Sequence, residues 1–282
     1  VRQYRELTDD IGDTIMQEAL TILEDKTYKY LFGQGSMSEV PITGFLPDGR
    51  LISGQIDRLV IKDDQILIVD YKTNRPIANF FAFVSAKFLE KTEMHKGVKL
   101  RILYDKSHPY NVDKMMVALK AGLDTFTESY GPYQYDHVRI MEFPYRSFAQ
   151  SFAGTIPFSE RIGFIQDDAI KDGAKIDLMT YVTMHELGHQ WFAHQIVPAQ
   201  ARGFNVLSEG LTSYMTMDAY EAKYGFDKAR FALEKSTIEQ LQALSMFDRE
   251  KEVPLAVAGE QQYLVYNKAD WVMWGLKHYM GP

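Results

Sequence analysis

The sequence predicts an α+β protein with two parts, and two changes of pattern along the chain support this prediction. Residues 8–30 carry apolar side chains at helical spacing, and residues 39–73 then hold three β-rich runs. The runs are separated by "PDGR" and "KDDQ", which are turn sequences, so they predict an antiparallel meander. After Pro76 the pattern changes to a segment that is mainly helical at its C-terminal end. We therefore predict two domains, residues 1–76 and 77–282.

Strands and helices are both expected in the second domain. Residues 98–105 predict a strand, and the residues that follow predict a helix that begins after Asn111 and ends before Gly131. Residues 137–143 predict a further strand, and residues 147–165 predict a loop that leads into an edge strand. Three or four more helices are expected, over about residues 176–197, 207–224, 227–246 and 263–280.

The composition limits the classes of function that need to be considered. The net charge is −7, so there is no basic excess of the kind that favours broad nucleic-acid binding. The chain has no cysteine, so disulfides are excluded and any zinc site must use His, Asp or Glu. No apolar run approaches 18 residues, and we expect no transmembrane segment in this chain.

The stretch "HELGH" carries the strongest functional signal. His185 and His189 are four residues apart, so on a helix both imidazoles lie on one face and can bind the same ion. Glu186 is turned about 100° from His185, where it can reach a water on the metal rather than the metal itself. The simpler alternative is two ordinary histidines on a helix surface. We expect Asp177 to cap this helix.

A catalytic zinc site also needs a third protein ligand and an open position. The candidate is Glu209, at the start of the next helical segment, with nineteen residues between it and His189. A second helix packed against the first could bring this carboxylate to the two imidazoles. His194 lies five residues after His189, about 140° around the helix, and is not expected to be a ligand.

These residues resemble a known family. The pattern "HELGHQWFAHQ…LSEGLTSY" is similar to the alanyl-aminopeptidase-like zinc metallopeptidases, which are gluzincins with a thermolysin-like catalytic domain. The resemblance covers about residues 77–281 and is greatest for the branch fused to ABC-transporter permeases. It implies one zinc ion per chain, held by His185, His189 and Glu209, with Glu186 as general base. The family usually has eighteen residues between the second histidine and the ligand glutamate, whereas this chain has nineteen between His189 and Glu209.

The same resemblance implies two further site residues. Tyr266 in "VYNKADWVM" matches the family tyrosine that stabilises the oxyanion, although Ala269 replaces the usual glycine. The family's exopeptidase motif, Gly-x-Met-Glu-Asn, is replaced by "PFSERIG". Glu160 stands where the amine-binding glutamate would fall, and a carboxylate there could still hold a substrate ammonium. A surface glutamate is the alternative for Glu160, and an aromatic residue on a helix face is the alternative for Tyr266.

A second resemblance lies in the first domain. "GQIDRLVIKDDQILIVDYKTNRP" resembles part of the PD-(D/E)xK nuclease domain of AddA/RecB-type double-strand-break repair helicase–nucleases, over roughly residues 17–76. It implies that Asp57 and Asp70 bind Mg²⁺ and that Lys72 is the catalytic lysine. The helix and strand that follow the lysine in that family are missing, so this nuclease-like fold is truncated.

Three hypotheses follow from the sequence. The first is a zinc metallopeptidase that is aminopeptidase-like and acts on a peptide or protein substrate. The second is a Mg²⁺-dependent nuclease module, and we expect no nucleic-acid partner unless that N-terminal segment is active. The third is a catalytically incomplete fusion of the two.

Overall fold

The protein is described by a computed structural model, which divides the chain into two compact units, Val1–Asn74 and Arg75–Pro282. Besides isolated positions before residue 86, the described residues are 29–31, 35–45, 49–62, 65–69, 86–146, 148–165, 177–199, 201–238, 251–259 and 261–281.

The first unit contains a three-stranded antiparallel sheet. Its strands are β1 (Ser36–Phe45), β2 (Leu51–Lys62) and β3 (Gln65–Val69), in the order β1–β2–β3. Gly49, next to the first turn, has a φ of 82°, a conformation that glycine adopts without strain. The helix expected over residues 8–30 lies largely outside the described residues.

The second unit begins with a four-stranded sheet in the order β4–β5–β6–β7. Its strands are β4 (Leu89–His95), β5 (Val98–Tyr104), β6 (His137–Phe143) and β7 (Thr155–Ser159). Strand β4 was not predicted. It pairs antiparallel with β5 through a tight turn, in which Lys96 and Gly97 have φ values of 47° and 85°.

The helix α1 (Val112–Tyr130) connects β5 to β6, which run parallel and therefore need such a crossover. One face of α1 packs on the sheet, because its apolar residues recur at helical spacing. This core contains Met115, Leu119 and Phe126 from the helix and Leu100, Ile102, Val138, Ile140 and Ile156 from the sheet.

Four helices complete the described part of the second unit. They are α2 (Leu178–Gly188), α3 (Leu211–Tyr224), α4 (Phe226–Ala232) and α5 (Ala269–Met280). Wide π-helical turns precede α3 at Val206–Gly210, follow α4 at Leu233–Ile238 and precede α5 at Leu264–Lys268. Among the described residues, no helix is both long and apolar enough to cross a membrane.

The helix predicted over residues 176–197 is wrong at its C-terminal end, because α2 stops at Gly188. The amides of Gln190 and Trp191 bond to the carbonyls three residues before them, which tightens the backbone into turns. The Trp191 indole donates to the carbonyl of Gly131 at 3.0 Å, and Gln190 is fully buried. These tertiary bonds override an apolar pattern that would allow a longer helix.

Asp177 caps α2, as the sequence predicted, and is almost completely buried. Its carboxylate accepts from the amide and hydroxyl of Thr180, from the Tyr224 hydroxyl at 2.6 Å and from the Lys114 ammonium at 2.8 Å. Burial alone would raise the pKa of Asp177, but these four contacts outweigh it and lower the pKa.

We expect Asp177→Ala to lower the free energy of unfolding by about 3 kcal/mol, because it removes a cap and the buried carboxylate that Thr180, Tyr224 and Lys114 contact. Urea unfolding at pH 7 measures this change. The lowered pKa means that the contribution is present above the ordinary aspartate pKa of about 3.9 and is lost as the pH falls through the folded value.

The pH dependence of unfolding should therefore be weaker in Asp177→Asn than in the wild type below about pH 4. Asp113→Ala is the matched control, because this residue of the first turn of α1 also pairs with a lysine but is 87% exposed. Equal losses from the Asp177 and Asp113 variants would contradict the stabilising role of the buried cap.

Candidate metal centre

The structure brings together the three side chains predicted as zinc ligands. His185 and His189 lie at the C-terminal end of α2, and Glu209 lies in the π-helical turn before α3. The Nε2 atoms of His185 and His189 lie 3.3 Å and 3.0 Å from the Glu209 Oε2 atom. The two imidazole rings are 4.8 Å apart and perpendicular to each other.

This donor set fits a zinc ion. In a tetrahedral site with bonds of about 2.0–2.1 Å, neighbouring ligand atoms are about 3.3 Å apart. The measured separations between Glu209 and the two histidines are close to that value. Two imidazoles and one carboxylate also match the ligand types of a catalytic zinc site, in which a fourth position is open.

Two glycines allow this convergence. A Cβ atom on Gly188 would lie 3.0 Å from the Thr212 side chain and 3.2 Å from the Met215 sulfur, so α2 and α3 approach closely there. A Cβ atom on Gly210 would lie 2.9 Å from the Cβ of Ala269. The segments that carry the histidines, Glu209 and Tyr266 therefore pack at distances that larger residues would prevent.

The electrostatics of the cluster favour an ionised Glu209. Burial would raise its pKa, but the two histidine contacts lower it far below the ordinary value. Burial also opposes protonation of His189, whereas Glu209 more than compensates and raises the pKa of His189. A carboxylate that stays charged at neutral pH suits a metal ligand.

Further contacts orient the His189 ring. Its Nδ1 atom lies 3.2 Å from the carbonyl of Phe192 and 3.2 Å from the Thr212 hydroxyl, which leaves Nε2 facing Glu209. Such outer contacts set the tautomer of metal-binding histidines. The His185 ring stacks near Tyr181, with centroids 6.3 Å apart and an interplanar angle of 19°.

Glu186 is buried beside this cluster. Burial raises its pKa, while His189 and His185 counteract the rise. Among the described residues, none donates a hydrogen bond to its Oε2 atom. A buried carboxylate oxygen without a protein donor fits a position where a water would be bound.

Tyr266 lies beside Glu209. It belongs to the π-helical turn before α5, and its ring centroid is 6.1 Å from that of His185. Burial, and then the charge of Glu209, raises the pKa of its hydroxyl. A cavity of about 410 Å³ is lined by Tyr266 and Glu209 together with Asn205, Gly259, Gln262 and Val265.

Glu160 lies directly after β7, and its side chain is 33% exposed. The structure pairs it with His108, whose Nε2 atom is 3.2 Å from the Glu160 carboxylate. The other imidazole nitrogen of His108 is 2.7 Å from the Glu142 carboxylate. These three residues form a second cluster of potential ligands.

The residues of the nuclease hypothesis lie in or next to the strands of the first unit. Asp57 lies in β2, where only its backbone is described, and Asp70 and Lys72 lie outside the described residues. The Mg²⁺ site and the nuclease activity implied by the sequence therefore stay predictions.

Sequence reasoning missed one anchoring side chain, Gln190. It donates to the Ser151 hydroxyl at 2.6 Å and to the Phe152 carbonyl at 2.9 Å, and it accepts from the amide of Gly154 at 2.8 Å. In the sequence, only the position of Gln190 next to His189 could have indicated this role. His194, in contrast, bonds to the Ser151 carbonyl at 3.0 Å and is outside both ligand clusters among the described residues, as expected for a residue that is not a ligand.

Comparison with known proteins agrees with this geometry. A family model described as the peptidase family M1 domain matches residues 110–282. The crystal structure of an M1 zinc metallopeptidase from Deinococcus radiodurans is similar, with 16% identity and a TM-score of 0.50 over 88% of this chain and 51% of that chain. A mutant of an M1 zinc metallopeptidase from the same organism gives 17% identity and a TM-score of 0.49 over 69% and 42%.

The chain thus spans about half or less of the length of these two structures. No curated protein sequence matches it. A mixed fold in which a histidine pair on one helix meets a downstream glutamate defines the gluzincin class of zinc metallopeptidases. The family match covers more than half of the chain, and the chain belongs to peptidase family M1. The gluzincin part of the resemblance predicted from the sequence is confirmed.

We expect purified wild-type protein to contain about one zinc ion per chain, and the Glu209→Ala and His189→Ala variants to lose at least about tenfold in zinc affinity. Elemental analysis by mass spectrometry, combined with competition against a chelator, measures both quantities. His194→Ala is the matched control and should keep its zinc. A Glu209→Ala variant that binds zinc as tightly as the wild type would contradict the predicted ligand set.

Proposed function

We propose that the second unit hydrolyses peptide bonds at a zinc ion held by His185, His189 and Glu209. The observation that carries this proposal is the convergence of the three side chains, with separations of 3.0–3.3 Å between the Glu209 carboxylate and the imidazole nitrogens. Zinc, when bound, supplies a Lewis acid and a water that can be deprotonated near neutral pH.

Glu186 is proposed as the general base. Its carboxylate is buried next to the ligand histidines, and one of its oxygens has no donor among the described residues. Burial raises the pKa of Glu186, which makes it a better proton acceptor than an exposed glutamate. It can take a proton from the attacking water and later deliver it to the leaving amine.

Tyr266 is proposed to stabilise the oxyanion that forms on the substrate carbonyl. Its raised pKa keeps the hydroxyl protonated at neutral pH, so it can donate a hydrogen bond where negative charge develops. The side chain is 37% exposed and lines the cavity beside Glu209, so a substrate can reach it.

Glu160 is proposed to bind the N-terminal ammonium of the substrate, which would make the activity aminopeptidase-like. Support comes from its partial exposure at the end of β7 and from its negative charge. A carboxylate and an ammonium form a charge-assisted hydrogen bond, which is stronger than a neutral one.

The chemical step is tested with a fluorogenic amino-acid amide and zinc-loaded protein. Glu186→Gln should lower kcat by about 10²–10⁴-fold, because the general base is lost, and Tyr266→Phe by about 10²–10³-fold. Both variants should retain zinc. Tyr279→Phe, which changes a 90% exposed tyrosine on α5, is the matched control. Unchanged kcat in Glu186→Gln would rule out the proposed mechanism.

Recognition of the substrate amine is tested separately. Glu160→Gln should raise KM for the amino-acid amide by about tenfold, equivalent to about 1.4 kcal/mol, while the turnover of N-acetylated peptides stays the same. Steady-state kinetics with both substrates decides this. If the wild type cleaves the acetylated peptide as efficiently as the free-amine substrate, the activity is that of an endopeptidase.

A further inference from the structure

Three neighbouring strands place titratable side chains at one edge of the sheet in the second unit. Strands β5, β6 and β7 run parallel, so their carboxyl ends meet at the same edge. Glu142 is the penultimate residue of β6, and Glu160 follows the last residue of β7. His108 lies in the connection between β5 and α1.

The His108 ring lies between the two carboxylates. Its Nδ1 atom is 2.7 Å from Glu142 and its Nε2 atom is 3.2 Å from Glu160. Exposure of the side chains increases along this row, from 5% at Glu142 to 14% at His108 and 33% at Glu160. The row thus runs from a buried carboxylate to one that solvent can reach.

The buried end of the row is fixed to the backbone. The amide of Asp105, just after β5, donates to the Glu142 carboxylate at 2.6 Å. Burial raises the pKa of Glu142, and both this amide and the imidazole oppose the rise. Glu142 is therefore fixed at the buried end of the row, and the His108 ring lies between it and Glu160.

One atom from each of the three side chains lies within 4.8 Å of the others, but the shortest contacts run through the imidazole ring. The two carboxylates face opposite nitrogens of one imidazole, and a single ion can bind only one of these nitrogens. The ring instead separates the two carboxylates and presents one nitrogen to each of them.

We propose that His108 is a positioning residue that, held by Glu142, orients the Glu160 carboxylate for the N-terminal ammonium of the substrate. This inference rests on the proposed function, since it assigns to Glu160 a partner for the same substrate group. His108 acts through Glu160 and does not touch the reacting carbonyl. Its loss therefore weakens recognition of the amine and leaves the hydrolytic step intact.

A double-mutant cycle on zinc-loaded protein tests this proposal. His108→Ala should raise KM for the amino-acid amide by about tenfold with little change in kcat, and should change KM less than about twofold in the Glu160→Gln background. Glu142→Gln should raise KM by a smaller factor. Turnover of the N-acetylated peptide should not respond to His108→Ala.

The matched control is His95→Ala. This change removes an imidazole–carboxylate contact of the same length, 2.7 Å to Asp124, from the opposite edge of the same sheet. His108→Gln, compared with the wild type by thermal melting, provides a second variant if His108→Ala does not fold. KM should remain unchanged in His95→Ala.

Two outcomes would overturn the proposal. The first is a purely structural effect of His108→Ala. It would appear as the same rise of KM in the wild-type and Glu160→Gln backgrounds, or as the same loss of kcat on both substrates. The second is a metal site at His108, Glu142 and Glu160. It would appear as a second equivalent of Zn²⁺ or Mn²⁺ that the wild type binds and His108→Ala does not.

Failure of the proposed function gives a different result. If the wild type shows no turnover that depends on Glu186, calorimetry on the Glu186→Gln protein still measures binding of an amino-acid amide and of its N-acetylated form. His108→Ala should reduce the preference for the free amine about tenfold. An unchanged preference would overturn the role of His108 independently of catalysis.

Discussion

The second unit depends on the close approach of α2 to the segment that begins α3. Gly188 lets α2 approach Thr212 and Met215 of α3, and Gly210 lets the turn that carries Glu209 approach Ala269 of α5, so the Glu209 carboxylate reaches both histidines. Three polar side chains converge in a largely apolar interior, where each would be unfavourable alone. Their mutual contacts compensate for burial, so the packing and the metal-binding chemistry support each other.

Hydrogen bonds also connect the end of α2, where His185 and His189 lie, to the segment before β7 and Glu160. Gln190, the residue after His189, bonds to Ser151, Phe152 and Gly154 in the segment that precedes β7. A rigid connection of this kind relates the hydrolytic residues to the proposed amine site. Because catalysis depends on positions held within a fraction of an ångström, such supporting bonds matter as much as the ligands.

The elements with strong local signals were predicted well. The apolar face of α1 and the Asp177 cap of α2 depend on residues close in sequence, so spacing and residue type predicted both. The end of α2 at Gly188 could not, because it depends on bonds from Gln190 and Trp191 to distant segments. Strand β4 was missed because it lies at the sheet edge, with a mostly exposed and charged sequence that lacks the usual apolar alternation.

The sequence by itself determined that His185 and His189 share a helix face with Glu186 beside them, since the period of the helix decides this. It also indicated Glu209 and Tyr266 through family resemblance. Only the tertiary structure decided that Glu209 meets both imidazoles and that His108 stands between Glu142 and Glu160. These groups are 20 to 52 residues apart in the chain, and no local rule relates them. Their contacts follow from helix packing and from the parallel order of β5, β6 and β7.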